Sequence, residues 1–400
     1  MKVLLFLDEL VIGGTLVNAI ELAGVLRKVH GYDVVLFAGP GPMLKLAEQK
    51  QVPFLPAPFP YYHPSRTRML ALREVVRRER PDLVWAWDPF ACFDAYWGVH
   101  VPMRIPVVTT IMVMQNPYHL PQWPITTYGT PELVDKARAM GGRCVELMLP
   151  PVDEEFNAPG VVNPGPFRER CGIADTDITL VTVSRLAELL KGESLRRTIH
   201  AVGVLGRDLP LRFVIVGDGA ARSQLEHIAD KVNSALGRPA IIFAGPMLDP
   251  RPAYAAADIV VGMGGSSLRG MAFGKPVIVV GEQGFSAPFT PQTAASFYYK
   301  GFYGVGTGSR DNTELVSNIR ALAERPDQFA GLGAFARQFV VENFSLPAVS
   351  AEAAGLFHRA VHESSPYYAV AADAFRSAAL YLRYRRFSWR YLPVPQPATV

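Results

Sequence analysis

The chain has 400 residues, of which 49% are hydrophobic and 19% charged, and its formal net charge is +4. A chain of this length and composition can form two domains, each with its own hydrophobic core, and its modest charged fraction argues against a disordered protein. Nowhere do about 18 apolar residues run uninterrupted, so we expect no membrane-spanning helix. The three cysteines, Cys92, Cys144 and Cys171, form no C-x-x-C pair, and we interpret them as reduced, buried thiols of a cytoplasmic protein.

The first half of the chain predicts a parallel sheet with crossover helices. Short β-branched and apolar runs alternate there with segments of helical periodicity. The opening apolar run stops at Asp8 and Glu9, which makes it too short for a signal peptide, and we predict a first buried strand. The predicted strands are residues 3–7, 34–37, 83–87, 107–111 and 145–149.

A pair of glycines separates the first predicted strand from the first predicted helix. Gly13 and Gly14 would let the backbone approach a ligand at a helix N-terminus, where free N–H groups favour an anion. A tight strand-to-helix turn is the simpler explanation of a bare glycine pair. The spacing is not G-x-G-x-x-G, so it does not support a dehydrogenase.

The second half repeats the alternation after a linker. Residues 150–166 are dense in proline and glycine and lack helical periodicity. The strands predicted beyond them are residues 179–183, 212–216, 240–244, 259–261 and 277–280. The pattern is helical from about residue 311 to Ser364, and an aromatic, arginine-rich tail follows. The predicted divisions are a domain of residues 1–155, a domain of residues 156–364 and a tail of residues 365–400.

An ordered series of polar and glycine-rich motifs runs through this second half. It consists of Arg185, Lys191 and Gly192, then Gly217 and Gly219, then Phe243, Gly245, Pro246 and Met247, then Asp258, and finally Met271 to Ile278. We take each piece to follow a predicted strand. Because open α/β sheets bind ligands at the carboxyl ends of their strands, the series predicts one ligand-binding edge.

This order of motifs resembles the nucleotide half of the retaining family-four glycosyltransferases. That family shows R…K-G, V-G-x-G, F-x-G, A-D and A-M-A-x-G-K-P-V-I in the same order, and residues 151–156 resemble its G-V-D…F segment between two domains. The resemblance implies an α/β protein of the GT-B fold. In that fold two Rossmann-like parallel-sheet domains face a central cleft, and the last helices cross back to the first domain.

The same resemblance implies which residues hold the donor. It assigns Arg185 and Lys191 to the donor phosphates and Gly14 to the diphosphate. Fixed cations aimed at a leaving nucleoside diphosphate stabilise the charge that accumulates as the sugar bond breaks. Solvated surface cations are the alternative explanation. The sequence shows no H-E-x-x-H, cysteine–histidine or G-x-S-x-G spacing, so we expect neither a metal ion nor another cofactor.

Residues 262–271 depart from the family pattern. The family has a longer loop here with two glutamates, of which the second falls on Arg269 and the first has no counterpart. Backbone N–H groups of glycines and a serine that caps the following helix would still form a phosphate cradle. Its residues are Gly264, Gly265, Ser266, Ser267 and Arg269. A glycine-rich turn with a solvated arginine is the alternative.

The family's sugar site is also altered. The family ends a strand with threonine and histidine near the sugar, and Met112 takes the place of that histidine. Methionine makes no strong hydrogen bond, so sugar recognition would have moved or the site would be altered. His119 and Glu282 are candidate substitutes, although a surface histidine and a turn-capping glutamate would explain them equally well.

Positive charge is concentrated in two segments. Residues 66–80 contain six arginines against two glutamates, and residues 366–400 contain five arginines against one aspartate. Such localised charge indicates an anionic partner surface. The interleaved aromatic residues of the tail favour a membrane over nucleic acid, for which no reading module is recognisable. They are Tyr381, Tyr384, Phe387, Trp389 and Tyr391. Outward faces of docked helices are the alternative.

We therefore expect a metal-independent, hexosyltransferase-like glycosyltransferase that moves a sugar from a nucleotide-diphosphate sugar to an acceptor hydroxyl. The resemblance implies retention of configuration, with the leaving diphosphate helping to deprotonate the acceptor. Such a reaction would serve glycan, glycolipid or glycosylated-metabolite biosynthesis, with a lipid-linked acceptor at the inner face of a membrane as one form. A non-catalytic nucleotide-sugar-binding or scaffold protein of the same fold is the alternative, because both glutamates and the histidine are missing. A dehydrogenase with a Rossmann fold is the third and least favoured candidate function.

Overall fold

The chain forms two compact units in the structure, which is a computed structural model. Residues 1–60, 62–114, 116–117, 119–308, 312–363 and 366–387 are described. The first unit comprises Met1–Val11, Leu22–Met148 and the residues from Ser350 onward. The second unit comprises Ile12–Glu21 and Leu149–Val349.

A parallel sheet of seven strands forms the centre of the first unit, in the order β3-β2-β1-β4-β5-β6-β7. The strands are β1 (Lys2–Glu9), β2 (Asp33–Gly39), β3 (Phe54–Pro56), β4 (Leu83–Trp87), β5 (Val107–Ile111), β6 (Ile125–Tyr128) and β7 (Val145–Leu147). The central strands β4 and β5 are buried along their whole length, as expected for a parallel sheet covered on both faces. The strand order reverses between β1 and β4, which makes this position the topological switch point of the sheet.

The helices of the first half of the chain include two with clear side-chain caps. They are α1 (Gly14–Lys28), α2 (Leu44–Gln49), α3 (Arg66–Glu79), α4 (Asp88–Ala95), α5 (Val101–Met103) and α6 (Pro131–Ala139), with a π-helical turn at Tyr96–His100. The Ser65 hydroxyl accepts the Arg68 N–H at the start of α3, and the Thr130 hydroxyl accepts the Leu133 N–H at the start of α6. These side chains satisfy N–H groups that a helix start otherwise leaves unpaired.

A six-stranded sheet in the order β10-β9-β8-β11-β12-β13 forms the second unit, and only β13 is antiparallel to its neighbour. The strands are β8 (Ile178–Val183), β9 (Leu211–Val216), β10 (Ile241–Gly245), β11 (Ile259–Gly262), β12 (Val277–Val280) and β13 (Ser286–Pro288). The helices are α7 (Gly165–Arg170), α8 (Glu193–Leu205), α9 (Arg222–Leu236), α10 (Arg251–Ala256), α11 (Gly265–Ala272), α12 (Ala294–Lys300), α13 (Thr313–Ala323) and α14 (Phe329–Phe344), with a short π-helical segment at Glu188–Gly192 and a 3-10 turn at Pro326–Gln328. Large apolar side chains from β8, β9 and α8 fill its core.

The last two helices of the described chain are α15 (Leu346–His362) and α16 (Tyr367–Phe387). The carboxylate of Asp373 fixes α16 within the first unit, because it accepts the Tyr96 hydroxyl at 3.2 Å and the Gln122 N–H at 2.9 Å. The predicted basic tail is therefore a packed helix over this stretch. Trp389 and Tyr391 lie outside the described residues.

These two parallel-sheet α/β units confirm the predicted fold class. Every predicted strand is present, within two residues at each end. Three strands were not predicted, namely β3, β6 and β13. Two of them have three residues each and include a proline, and the third follows a proline-rich loop, so none shows a strand-length pattern.

Candidate functional site

Two loops lie side by side where β8 and β9 end. The Ser184 N–H donates to the Val216 carbonyl and the Leu186 N–H to the Asp218 carbonyl, both at 2.9 Å. A Cβ on Gly217, whose φ is +141°, would lie 1.8 Å from the Ser184 carbonyl oxygen. The packing of the backbone alone therefore requires glycine at this position. Gly219 meets its neighbouring loop in the same way, since its Cβ would lie 2.5 Å from a carbonyl oxygen.

Arg185 and Lys191 follow β8 as the sequence predicts. Arg185 is exposed, and Lys191 is half-buried in the segment Glu188–Gly192, where Leu190 adopts the unusual φ of +70°. Burial and the neighbouring Arg185 guanidinium lower the pKa of Lys191 to about 8. Among the described residues, no carboxylate lies within ion-pair distance of either cation. Two adjacent cations without a counter-charge are a candidate anion site.

Glu193, which follows Lys191 and Gly192, fixes a third loop, the turn after β12. The Glu193 carboxylate accepts the Gly284 N–H at 2.7 Å and the Gln283 N–H at 3.0 Å. This contact ties the turn after β12 to the first turn of α8, beside Lys191. Glu193 was not among the predicted site residues, although a glutamate in the first turn of a helix is a recognisable signal.

Glu282 precedes the turn that Glu193 fixes, and its carboxylate already has a hydrogen-bond partner. The Tyr303 hydroxyl donates a hydrogen bond to its carboxylate, and burial together with Glu282 raises the pKa of Tyr303. The role of Glu282 in sugar recognition stays a prediction.

The glycine-serine segment forms the start of α11, but not with the predicted cap. Gly264, at φ +56°, is the N-cap and supplies no side chain, so the expectation that a serine caps this helix is wrong. Helix α11 begins at Gly265, before either serine, so Ser266 and Ser267 lie inside its first turn. Ser266 accepts the Tyr254 hydroxyl at 3.2 Å, and the Ser267 hydroxyl is buried without a partner in the described part of the chain.

Arg269 contacts the start of α1, which belongs to the second unit. Its guanidinium donates to the Asn18 side chain at 3.4 Å and lies 3.8 Å from the Glu21 carboxylate. The side chains of Arg269 and Glu21 are only 12% and 5% exposed, so this pair is largely withdrawn from water. An arginine thus stands where the family has a glutamate, and a glutamate of α1 faces it.

The packing explains some predicted glycines and leaves others open. A Cβ on Gly13 or Gly14 would meet nothing within 4 Å, so no neighbouring atom requires glycine at either position. Gly245 has φ +77°, and its carbonyl accepts the Gly217 N–H at 2.9 Å. Beyond it, Pro246 is exposed, and the Met247 sulfur lies 3.6 Å from the Arg170 guanidinium. Ligand contacts of these residues stay predictions.

Two motifs of the series lie at the opposite edge of the sheet. Asp258 precedes β11, and its carboxylate accepts the Thr179 N–H at 2.8 Å near the start of β8. Lys275 precedes β12 and donates to the Ala255 carbonyl at 3.1 Å. The interpretation that every motif follows a strand is therefore wrong for these two. Their polar groups join strands and turns at the amino edge.

Met112 and His119 lie in the first unit. The Met112 N–H donates to the Asp88 carboxylate at 3.3 Å, and burial raises the pKa of Asp88 to about 6. The His119 ring is stacked against Tyr384, 5.0 Å between ring centroids, and burial lowers its pKa to about 4. The enclosed imidazole is not an exposed surface histidine, which was the alternative explanation of His119, and the role of His119 in sugar recognition stays a prediction.

No group of three or more histidine, cysteine or acidic residues that could hold a metal ion occurs among the described residues. Within the same residues, no helix is long and apolar enough to cross a membrane.

Residues 12–130 match the family model described as Glycosyltransferase Family 4, and residues 177–324 match the model described as Glycosyl transferases group 1. No curated protein sequence matches the chain significantly.

Solved structures share the fold at low sequence identity. A glycosyltransferase from Rickettsia africae ESF-5 has a TM-score of 0.71 at 14% identity, covering 91% of this chain and 99% of that chain. Anabaena Alr3699/HepE in complex with UDP-glucose has a TM-score of 0.69 at 17% identity, covering 89% and 99%. WaaG, a glycosyltransferase involved in lipopolysaccharide biosynthesis, has a TM-score of 0.63 at 14% identity, covering 89% and 99%.

The two parallel-sheet units and these structural neighbours define a GT-B fold. The chain carries a Glycosyltransferase Family 4 domain followed by a Glycosyl transferases group 1 domain.

Proposed function

We propose that the protein transfers a sugar from a nucleotide-diphosphate sugar to an acceptor hydroxyl. The observation that carries this proposal is the uncompensated cation pair Arg185 and Lys191 at the carboxyl edge of the second sheet, within the matched glycosyltransferase domain. In the free protein, burial and the adjacent Arg185 guanidinium lower the pKa of Lys191, so its charged form is disfavoured until an anion binds. A diphosphate would supply that charge, most strongly as the sugar bond breaks.

Each part of the site has a chemical role in the proposed reaction. The Arg185 guanidinium binds phosphate oxygens as a planar fork, and the Lys191 ammonium binds them as a point charge. The free N–H groups in the first turn of α11 add partial positive charge. The bond between the anomeric carbon and the diphosphate breaks, the acceptor oxygen bonds to the same face of that carbon, and the leaving diphosphate takes the hydroxyl proton. Bond formation on the face that the diphosphate leaves retains the configuration. This stereochemistry, and independence from metal ions, rest on the family resemblance.

The HepE structure contains UDP-glucose, which makes a uridine nucleotide sugar the first donor to test. A panel of nucleotide sugars that differ in base and sugar should contain one that stabilises the protein by a few kcal/mol at saturating excess. The same donor should stabilise Lys191→Ala much less, whereas Lys231→Ala, at an exposed lysine of α9, should respond like the wild type. If no nucleotide sugar or nucleoside diphosphate stabilises the wild type, the proposal fails.

The acceptor in this proposal is lipid-linked and lies at the inner face of a membrane, as in glycolipid or glycan biosynthesis. The structure supports a membrane contact through a different surface from the one predicted. The tail residue Tyr381 packs inward, with its ring 4.8 Å from that of Phe93. The large apolar side chains that α16 exposes are instead Tyr367, Tyr368, Phe375 and Leu382, between 66% and 79% exposed.

Three of these residues form one stripe along the helix. Tyr368, Phe375 and Leu382 recur every seven residues, with only alanines between them on that face, and the buried side chains lie opposite. The stripe is about 21 Å long at 1.5 Å per residue. Three exposed arginines follow its end, namely Arg383, Arg385 and Arg386. An apolar stripe with a cationic end suits the surface of an anionic bilayer.

The other basic segment, residues 66–80, exposes less positive charge than its composition suggests. Arg68 on α3 is fully buried, where its guanidinium pairs with Asp8 and donates to the Leu7 carbonyl. Arg73 donates to the Gly98 carbonyl at 2.6 Å. Arg68 therefore adds nothing to a basic surface, although it counts among the six arginines of residues 66–80, because its buried guanidinium is already paired within the first unit.

A non-catalytic nucleotide-sugar-binding protein is the second candidate. The observation that favours it is the pairing of Arg269 with Glu21, because neither side chain supplies the free carboxylate that the family places in this loop. Both candidates bind the donor. Only the enzyme releases nucleoside diphosphate faster when an acceptor is added, so this release assay decides between them.

A further inference from the structure

The switch point of the first sheet brings together titratable side chains that the proposed donor site does not use. Asp8 lies near the carboxyl end of β1, and Asp94 lies in α4, which follows β4. His63 lies between them, with its Nε2 3.7 Å from the Asp8 Oδ2 and its Nδ1 3.6 Å from the Asp94 Oδ2. Open parallel sheets bind their ligands at this position.

Asp94 is a fully buried carboxylate with one free oxygen. Its Oδ1 accepts the Ser65 N–H at 2.8 Å, whereas its Oδ2 has no hydrogen-bond partner in the described part of the chain and faces the imidazole of His63. Leaving a buried carboxylate oxygen unpaired is costly, so a proton on the facing Nδ1 is favoured. This tautomer leaves the lone pair of His63 Nε2 as an acceptor on the side of Asp8.

Asp8 is held by a buried arginine on one side and is accessible to solvent on the other. The fully buried Arg68 guanidinium pairs with its carboxylate and also donates to its backbone carbonyl at 2.7 Å. The Asp8 side chain remains 39% exposed, and that of His63 is 17% exposed. A ligand hydroxyl arriving from solvent therefore meets a carboxylate oxygen and an imidazole nitrogen, both acceptors, a few ångströms apart.

An exposed aromatic ring completes the arrangement. Phe90 is stacked on His63, with 4.2 Å between ring centroids and 12° between ring planes. More than half of the Phe90 side chain is exposed. Neighbouring hydroxyl donors on a ring with apolar C–H faces are the chemistry of a sugar, and a pair of acceptors beside an exposed aromatic ring is complementary to it.

We propose that Asp8, His63 and Phe90 form a sugar-binding site in the first unit. One sugar hydroxyl donates to His63 Nε2 and a neighbouring hydroxyl to Asp8, while the part of Phe90 that the imidazole leaves exposed provides an apolar contact for the C–H groups of the sugar. Asp94 is a positioning residue that holds the imidazole. The inference rests on the proposed glycosyltransferase function for its source of sugar, which is either the transferred group of the donor or the acceptor.

The test uses the full chain and two kinds of probe. Calorimetry measures the affinities for UDP-glucose and UDP, or for the nucleotide pair that the panel selects. Saturation-transfer NMR detects binding of the methyl glycosides of glucose, galactose, mannose and N-acetylglucosamine. The variants are His63→Ala, His63→Gln and Asp94→Asn, and the matched control is His362→Ala, which removes an exposed imidazole from the same unit. Thermal unfolding confirms that each variant folds.

If the site holds the transferred sugar, His63→Ala lowers the affinity for UDP-glucose about tenfold and leaves that for UDP unchanged. If it holds the acceptor, both nucleotide affinities stay the same, and His63→Ala abolishes a methyl glycoside signal that UDP-glucose does not displace. In either case His63→Gln restores part of the lost binding, because its amide replaces the hydrogen bond, Asp94→Asn weakens the same signal, and His362→Ala behaves like the wild type.

The proposal is overturned if wild type and His63→Ala show the same UDP-glucose to UDP affinity ratio and the same methyl glycoside spectra, including the case in which no glycoside binds. A folded His63→Ala variant is needed for this comparison, and His63→Gln serves if the alanine variant does not fold. Failure of the donor proposal looks different. In that case neither nucleotide binds the wild type, while a His63-dependent glycoside signal persists.

Discussion

Donor affinity should depend on pH through Lys191. In the free protein the pKa of Lys191 is lowered to about 8 by burial and by Arg185, so the side chain loses its proton above that pH. A bound diphosphate adds negative charge and moves the pKa back up. Below about pH 8 the lysine is charged in both states and affinity is constant, whereas above it each binding event takes up one proton.

The size of the effect follows from the lowered pKa. A fall of the pKa from its ordinary value of 10.5 to about 8 means that the charged form of Lys191 is disfavoured by about 3 kcal/mol in the free protein. Affinity should fall up to about tenfold for each pH unit above 8. Lys191→Arg keeps its charge throughout and removes the slope. Lys191→Met removes both the slope and about 2 to 4 kcal/mol of stabilisation in the transition state.

Isothermal titration calorimetry at about pH 7 to 9 measures both quantities, because proton uptake appears as a dependence of the binding heat on the ionisation heat of the buffer. Lys231→Met, at an exposed lysine of the same unit, is the matched control and should keep the wild-type slope. A wild-type affinity that is flat up to pH 9, or a slope that survives in Lys191→Met, would refute the assignment of Lys191 to the phosphates.

Three further predictions follow from individual contacts. Burial raises the pKa of Asp88 from 3.8 to about 6, so the folded protein gains stability as pH falls from 6 towards 4. Asp88→Asn should raise the free energy of unfolding at neutral pH by up to about 3 kcal/mol and flatten this dependence in urea titrations. Gly265→Val should lower donor affinity about tenfold without changing the free energy of unfolding in urea, because the only atom near its new Cβ is a guanidinium nitrogen of Arg269, at 3.2 Å. Unchanged affinity in a folded variant would show that residues 262–271 form a turn without a role in donor binding. Replacing Phe375 and Leu382 by serine should abolish salt-sensitive sedimentation with anionic vesicles, whereas Phe59→Ser, at another exposed ring of the same unit, should not; unchanged sedimentation would exclude the α16 stripe.

Local sequence signals predicted the strands well, together with the position of Arg185 and Lys191 after one of them. Buried parallel strands are continuous apolar runs, and Arg185 and Lys191 follow one of them directly. The same reasoning misplaced Asp258, because a polar residue between a helix and a strand can mark either end of a strand. Only the pairing of β11 with β8 in the folded sheet shows that the Asp258 carboxylate accepts a backbone N–H near the start of β8.

Burial within a helix was less predictable than its existence. The arginine-rich composition of α3 hides the fact that helical spacing places Arg68 on the face of Leu72, Val75 and Val76, and only the tertiary structure reveals the carboxylate and carbonyls that enclose it. On α16 the aromatic residues near the chain end looked like the outer face, yet the exposed stripe lies on Tyr368, Phe375 and Leu382. Which face is covered depends on the neighbouring elements, and sequence spacing alone does not contain that information.

The cluster around His63 gave no sequence signal at all. His63 lies in a loop, and its partners come from the end of β1 and from α4, far apart along the chain. Residues brought together only by the sheet topology share no spacing pattern, so proximity of this kind becomes visible only in the folded chain.

The most direct test of the central claim is acceptor-dependent turnover of the nucleotide sugar that the panel selects. We expect one nucleoside diphosphate to be released per sugar transferred, and turnover to fall about 30-fold to 1000-fold in folded Arg185→Ala, equivalent to about 2 to 4 kcal/mol. A wild type that binds the donor but releases no diphosphate above background hydrolysis would show that the protein is not a glycosyltransferase for this donor. A folded Arg185→Ala variant that turns over at the wild-type rate would contradict the assignment of Arg185 to the donor phosphates.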